Sequence, residues 1–381
     1  MLKEGAHMAR NWFSHIVPLA LVPALIGCGT EAGTSAPQRL TASALAAVDA
    51  KPGVPREALA RAVDALFSDP EAAETRAVIV MQGGRIVAER YAPGYHENTR
   101  FISWSMAKSV TGVMIGMLVS DGRLRLAEPA PIPAWQRPGD PRGEITLKQL
   151  LQMRSGLRHR EAYRPPYESD EVRMLFLDGR GDMARYAEDQ PLQFEPGSKW
   201  VYSSSTSVIL SDLAARTLAA TPDAESRRRA VADYLRTRLF EPAGMHSMIP
   251  EFDAAGTQIG GSLIHGSARD WARFGEFLRN KGAVAGAQLV PRQWIEFMTS
   301  PSPREAQYGA HIWLNRAPTS GEPALFPDRG PRDMFACIGH LGQFVMVVPS
   351  QKLVVVRLGK TPEPQLSGVT KRLASLVALF R

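Results

Sequence analysis

Period-two and continuous apolar runs lie towards both ends of this chain, and helical periodicity fills most of the stretch between them. The segment REALARAVDALFSD repeats its apolar residues at helical spacing. The next segment, TRAVIVMQGGRIVAERYA, holds two β-rich runs, Ala77 to Met81 and Arg85 to Tyr91, joined through Gly83-Gly84, which predicts a hairpin. An almost unbroken apolar run follows, predicting a helix from about Ser105 to Ser120 that Asp121-Gly122 stops. Strand signals return only in YGAHIWLN, MFACIGHLGQFVMVV and KLVVVRLG, before a closing helix from Val369 to Phe380.

Between Leu124 and about Gly282 the pattern is helical, with proline-rich loops such as EPAPIPAWQRPGDPRG and YRPPYESD. Strands at both ends around a helical middle predict an α/β (α+β) fold: a sheet assembled from distant segments, with a helical subdomain inserted at about 124–282. A cleft between the two parts is the natural place for a site. Specificity is then expected from loops such as Arg158 to Arg173 and Pro318 to Met334.

The first residues read differently. A short basic start, an apolar stretch from Ile16 to Ile26 and the sequence Leu25-Ile26-Gly27-Cys28 resemble a bacterial lipoprotein signal with its lipidation box. An apolar run of about eleven residues is too short to span a bilayer. The expected organisation is a signal peptide over 1–27, lipidation at Cys28, a flexible tether rich in Ala, Ser, Thr, Gly and Pro over 28–54, and a folded domain over 55–381. That places the protein on the bacterial cell envelope, held to the membrane by its lipid. It also leaves Cys337, the second of two cysteines, without an intramolecular partner, so no disulfide is expected.

Composition changes this picture little. Apolar content of 44% and charged content of 22% are ordinary for a globular domain. The net charge of +7 comes from arginines interleaved with acids, as in GRGDMARYAEDQ, with no basic stripe or aromatic-basic motif, and nucleic acid is not expected as a partner.

The candidate chemistry starts at the head of the apolar helix. Ser105 and Lys108 are three residues apart and share a helical face. With Ser103 as N-cap, Ser105 falls in the first turn, where free N–H groups favour a developing alkoxide. Burial lowers a lysine pKa from its reference of about 10.4, so Lys108 can take the serine proton. In FEPGSKWVYSSSTSVILSDLAARTL, Tyr202 and Ser204 form a Y-x-S between a Pro-Gly turn and a helix, and a tyrosine beside the lysine can shuttle protons to a leaving group. In CIGHLGQ, a Gly-x-x-Gly enters a strand whose N–H groups can complete an oxyanion hole with that of Ser105. No H-E-x-x-H or G-x-S-x-G occurs, His265 reads as structural, and Met106, Met114 and Met117 read as core.

Together with LLQMRSGL and GGSLIHGSARDWARFGEFLRNKG, these motifs resemble the serine β-lactamase and DD-peptidase superfamily, in which S-x-x-K, Y-x-N or Y-x-S, and a K-T-G-like strand occur in this order. Within it the chain is most similar to the 6-aminohexanoate-dimer hydrolase and esterase branch. The resemblance covers about Pro55 to Arg381 and implies an antiparallel sheet flanked by helices with an all-helical insertion. It implies a serine hydrolase that cleaves an amide or ester through an acyl-enzyme, with no metal or organic cofactor. Ser105 would be the nucleophile, Lys108 the base, Tyr202 the proton shuttle and His340 the second oxyanion donor; Ser204, Gly339, Gly342 and Gln343 would line the substrate side, and Tyr163 would touch the leaving group. Matching both glycines of K-T-G-x-x-G aligns Cys337-Ile338-Gly339 with the motif and selects the N–H of His340; a rival register uses His340-Leu341-Gly342 and Gln343. Either way the motif lysine is missing. Two other readings stay open: a DD-peptidase or β-lactamase acting on cell-wall peptides or their analogues, and a non-catalytic binding lipoprotein.

Overall fold

The structure is a computed structural model that describes residues 40–380. The signal peptide, Cys28 and the first part of the tether lie outside the described residues.

In chain order the strands are β1 (Glu74–Gln82), β2 (Arg85–Tyr91), β3 (Arg100–Ile102), β4 (Ile249–Pro250), β5 (Ile264–Ser267), β6 (Ala283–Val284), β7 (Ala287–Gln288), β8 (Trp313–Leu314), β9 (Phe335–Gly339), β10 (Gln343–Val348) and β11 (Leu353–Lys360). The helices are α1 (Ala42–Ala46), α2 (Arg56–Ser68), α3 (Ala107–Ser120), α4 (Leu147–Leu151), α5 (Asp170–Phe176), α6 (Met183–Glu188), α7 (Ser204–Leu218), α8 (Ala224–Leu235), α9 (Ala268–Arg279), α10 (Arg292–Met298) and α11 (Leu366–Val377). Six strands form one antiparallel sheet in the order β2-β1-β11-β10-β9-β8, so the N-terminal hairpin is completed by the last three long strands of the chain. A smaller sheet has the order β3-β5-β4.

The central strands read as continuous apolar runs because both faces of the sheet are buried, and successive side chains go to opposite faces. Val78, Val80, Met346 and Val355 share a core with Leu59, Val63 and Leu66 of α2 and Leu373 of α11. Their neighbours Ile79, Val345, Val354 and Val356 join the larger core, which holds Phe274 and Phe277 of α9 and most of α3. Removing a side chain of this size from water is worth about 1.5–3 kcal/mol.

The fold starts earlier than the predicted boundary at residue 55. Ala44 and Val48 are buried, Ala47 and Asp49 exchange backbone bonds with β2, and the Arg56 guanidinium holds the carbonyls of Leu45 and Val48. Small apolar residues in a polar stretch look like linker, yet here they cover a sheet edge. The helical insertion ends sooner than Gly282: β5 returns to β3, and α9 packs across β1, β10 and β11 as a covering layer of the main sheet. The last helix starts at Leu366, three residues before its predicted start.

Candidate active site

Ser105 lies where β3 turns into α3. Trp104 adopts a left-handed backbone, φ 46°, and the short 3-10 turn Trp104–Met106 leads directly into α3. Ser103 stands at the N-cap position of this turn, as predicted, but its side chain makes no capping bond. Its backbone is already helical, and its hydroxyl accepts from the Ile264 N–H at 3.1 Å and donates to the Trp104 carbonyl at 2.9 Å. Ser103 therefore ties the turn to the segment 262–264, which pins Ser105 from behind. Ser105 itself is half-buried and accessible.

The side chain of Lys108 is buried, 1% exposed, and its Nζ has three partners: Ser105 Oγ at 2.9 Å, Ser204 Oγ at 2.8 Å and the Gly261 carbonyl at 2.8 Å. Burial drives the Lys108 ammonium below its ordinary pKa range, and Glu161 and Glu171 oppose part of that shift.

The acids are the part of the site that the sequence motifs did not mark. Glu161 accepts the Ser204 N–H at 2.7 Å and the Ser204 hydroxyl at 2.6 Å, meets His159 Nε2 at 2.5 Å, and reaches to 3.9 Å from Lys108 Nζ. Burial alone would raise its carboxyl, but Lys108, His159 and Ser204 together hold it well below the usual range. Glu171 Oε1 sits 3.3 Å from Ser204 Oγ and 3.4 Å from Ser262 Oγ, and burial plus the Glu161 charge push its carboxyl up to about 7. Glu161 belongs to the predicted specificity loop and Glu171 to the first turn of α5. No periodicity distinguishes them from the other charges of RHREAYRPPYESDE.

Ser204 heads α7, capped by Ser203 through the Thr206 N–H, and is fully buried. Its hydroxyl is committed to Lys108 and Glu161, which corrects the expectation that it faces substrate. Tyr202, two residues earlier, lies beside Ser105, and Lys108 Nζ stands 4.8 Å from its ring centroid. Burial and the Glu161 charge raise the Tyr202 phenol well above its ordinary pKa, so it stays protonated. Trp200, Tyr308 and Trp313 surround its ring at centroid distances of 6.3, 5.9 and 5.5 Å, forming an aromatic wall.

The third motif turns over in the β9–β10 hairpin. Gly339 pairs with Gln343 across the ladder, leaving His340-Leu341-Gly342 as the turn. A Cβ on Gly339 would come within 2.2 Å of the Ser103 carbonyl, so this strand end can lie against the turn that carries Ser105 only as glycine. The His340 ring meets Trp104 edge-on at 5.3 Å. Gln343 is not a substrate contact: its Nε2 donates to the carbonyls of His340 at 3.0 Å and Gly359 at 2.7 Å. Gly342 is likewise a turn residue, at φ 79°, with its carbonyl held by Arg357 Nη1 at 2.8 Å. Tyr163 is half-buried in its loop beneath the Arg160 guanidinium, 4.6 Å from the ring centroid. His265 pairs with Glu251, and Met106, Met114 and Met117 are core residues.

A family model described as Beta-lactamase matches residues 63–379. The chain is 25% identical over 334 residues to a 6-aminohexanoate-dimer hydrolase of Paenarthrobacter ureafaciens, covering 84% of this chain and 81% of that one. Among solved structures, a family VIII carboxylesterase is similar with TM-score 0.61 and 18% identity, over 84% of this chain and 96% of the other. A penicillin-binding protein homologue from Caulobacter crescentus is similar with TM-score 0.57 and 18% identity, over 84% and 95%. At such identities these structures establish a shared fold.

Proposed function

The chain belongs to the beta-lactamase family and is a hydrolase of that family, and from this premise we propose that it cleaves an amide or ester through an acyl-enzyme formed on Ser105. The observation that carries the reading is Lys108 Nζ, buried and 2.9 Å from Ser105 Oγ. The serine proton passes to Lys108 as the oxygen attacks the substrate carbonyl. The N–H groups of Ser105 and His340 receive the oxyanion. Tyr202, kept as a neutral phenol beside Ser105, protonates the leaving nitrogen or oxygen, and then helps to draw a proton from the water that releases the acyl group. The relative that acts on 6-aminohexanoate dimer supports a small linear amide as one substrate class.

Two measurements test this reading. A fluorophosphonate probe should label Ser105, and Ser105→Ala should lower turnover of an activated ester by at least ~10³ with the fold intact. Activity of the alanine variant within tenfold of wild type would remove Ser105 from its role.

The Leu25-Ile26-Gly27-Cys28 box supports a second proposal, lipid anchoring of the protein to the cell envelope through Cys28. Cys28→Ser should shift protein expressed in bacteria from the detergent phase to the aqueous phase. An unshifted partition overturns the anchor.

A further inference from the structure

The hydrogen-bond inventory around Lys108 leaves one arrangement open. Ser204 has a single hydroxyl proton, and Glu161 Oε1, acceptor-only and 2.6 Å away, takes it. Ser204 Oγ can then only accept from Lys108 at 2.8 Å, and the Gly261 carbonyl can only accept. Two of the amine's hydrogens are thus fixed, and its remaining position points at Ser105 Oγ: a third hydrogen when Lys108 is charged, the lone pair when it is neutral.

We propose that Glu161, acting through the Ser204 hydroxyl, and Glu171 beside it are positioning residues that aim the Lys108 lone pair at Ser105 and set the pH at which it becomes free. The inference rests on the serine-hydrolase reading given above. Glu161 is itself held in place, by the Ser204 N–H and by His159, whose Nδ1 meets Ser205 Oγ at 3.1 Å. The charged and titratable groups around Lys108 from the packed elements are Glu161 of the loop, with His159 bonded to it, Glu171 of α5, Tyr202 ahead of α7, and the buried imidazole of His311, which burial keeps neutral. Of these, only the two carboxylates add negative charge, and each one ionised makes Lys108 hold its proton more tightly.

Taking away a carboxylate charge lowers the pKa of Lys108, so the neutral amine persists to lower pH and the acid limb of serine activation moves down. In Glu161→Gln an amide oxygen can still accept the Ser204 N–H. Its NH₂ then donates to Ser204 Oγ, which frees the Ser204 proton to compete with Ser105 for the lone pair.

The test measures the fluorophosphonate labelling rate of Ser105 and kcat/KM for a p-nitrophenyl ester against pH, on the full chain and on Glu161→Gln, Glu161→Asp and Glu171→Gln. Glu161→Gln should lose ~10²-fold or more in labelling rate at its optimum, in the range of a general base's contribution. Its acid limb should move to lower pH by about one unit, and that of Glu171→Gln in the same direction but by less, because a carboxyl raised to about 7 is only partly ionised near neutral pH. Glu161→Asp should recover part of the rate, because it keeps the charge and an acceptor. If Glu161→Gln does not fold, the Glu171→Gln limb and the Glu161→Asp rate carry the test. Labelling of wild-type Ser105 with acid limbs unmoved in the glutamine variants overturns the proposal and leaves the hydrolase standing; no labelling of wild-type Ser105 overturns both.

Discussion

Gln343 clasps Gly359 at two points: its Nε2 donates to the Gly359 carbonyl at 2.7 Å, and its Oε1 accepts the Gly359 N–H at 3.0 Å. The same amide nitrogen reaches back to the His340 carbonyl, so one buried side chain binds the turn of the β9–β10 hairpin to the end of β11. Arg357 reinforces the joint. Fully buried, it donates to the carbonyls of Gly342, Ala72 and Glu74 and to the hydroxyls of Thr75 and Thr361. The proposed oxyanion donor therefore sits on a short turn anchored from beneath.

Gln343→Ala leaves both backbone groups of Gly359 buried without these partners. Each such group costs about 1–3 kcal/mol, and a net loss of about 2–3 kcal/mol is expected. Chemical denaturation should show that loss, and kcat should fall more than KM rises, because the N–H of His340 loses its support. Unchanged stability with a raised KM would return Gln343 to the substrate.

Gly116 lies on α3 one turn beyond Gly112, whose carbonyl accepts from the Trp294 indole at 3.0 Å. A Cβ on Gly116 would stand 2.2 Å from that indole nitrogen. Gly116→Ala should therefore cost about 1–3 kcal/mol by overpacking the helix that carries Ser105 and Lys108. A variant at least as stable as wild type in a thermal melt would show that Trp294 can withdraw freely.

The hairpin at Gly83-Gly84, the long apolar strands and the i, i+3 pair of Ser105 and Lys108 were legible because each depends on a local period. The same holds for Tyr202 and Ser204, two residues apart at the entry to α7. What escaped depends on partners far along the chain. Glu161 and Glu171 meet Ser204 across 43 and 33 residues of loop and helix, and Ser103 is bound by a segment 161 residues away instead of capping its own helix. Gln343 was misread for a related reason. It closes a strand motif of the family, and only the pairing of β10 with β11 reveals that its amide faces Gly359.

Lys108→Met keeps length and apolar bulk while removing the amine, so it separates the proton-accepting role from packing. A general base contributes about 10²–10⁴ in rate, and kcat/KM for an activated ester should fall by at least ~10². Turnover per folded molecule that stays at the wild-type level would exclude Lys108 from the chemistry.

The substrate class follows from charge. In the proposed register, with His340 as donor, the position of the motif lysine of penicillin-recognising relatives falls on Cys337, a buried thiol that burial pushes up to about 12 and that stays neutral. Arg357, on β11 beside this hairpin, is committed to backbone carbonyls and hydroxyls. A carboxylate-bearing substrate thus loses a charge-assisted hydrogen bond, worth about 1.5–3 kcal/mol or roughly ten- to a hundredfold. Short-chain p-nitrophenyl esters, and small linear amides after them, should exceed nitrocefin in kcat/KM by at least ~10². Steady-state kinetics of purified protein on the three substrate types decides the matter. Equal turnover of nitrocefin and the esters would mean that a cation from another element, such as the exposed Arg332, grips the carboxylate, and the reading would pass to a β-lactamase.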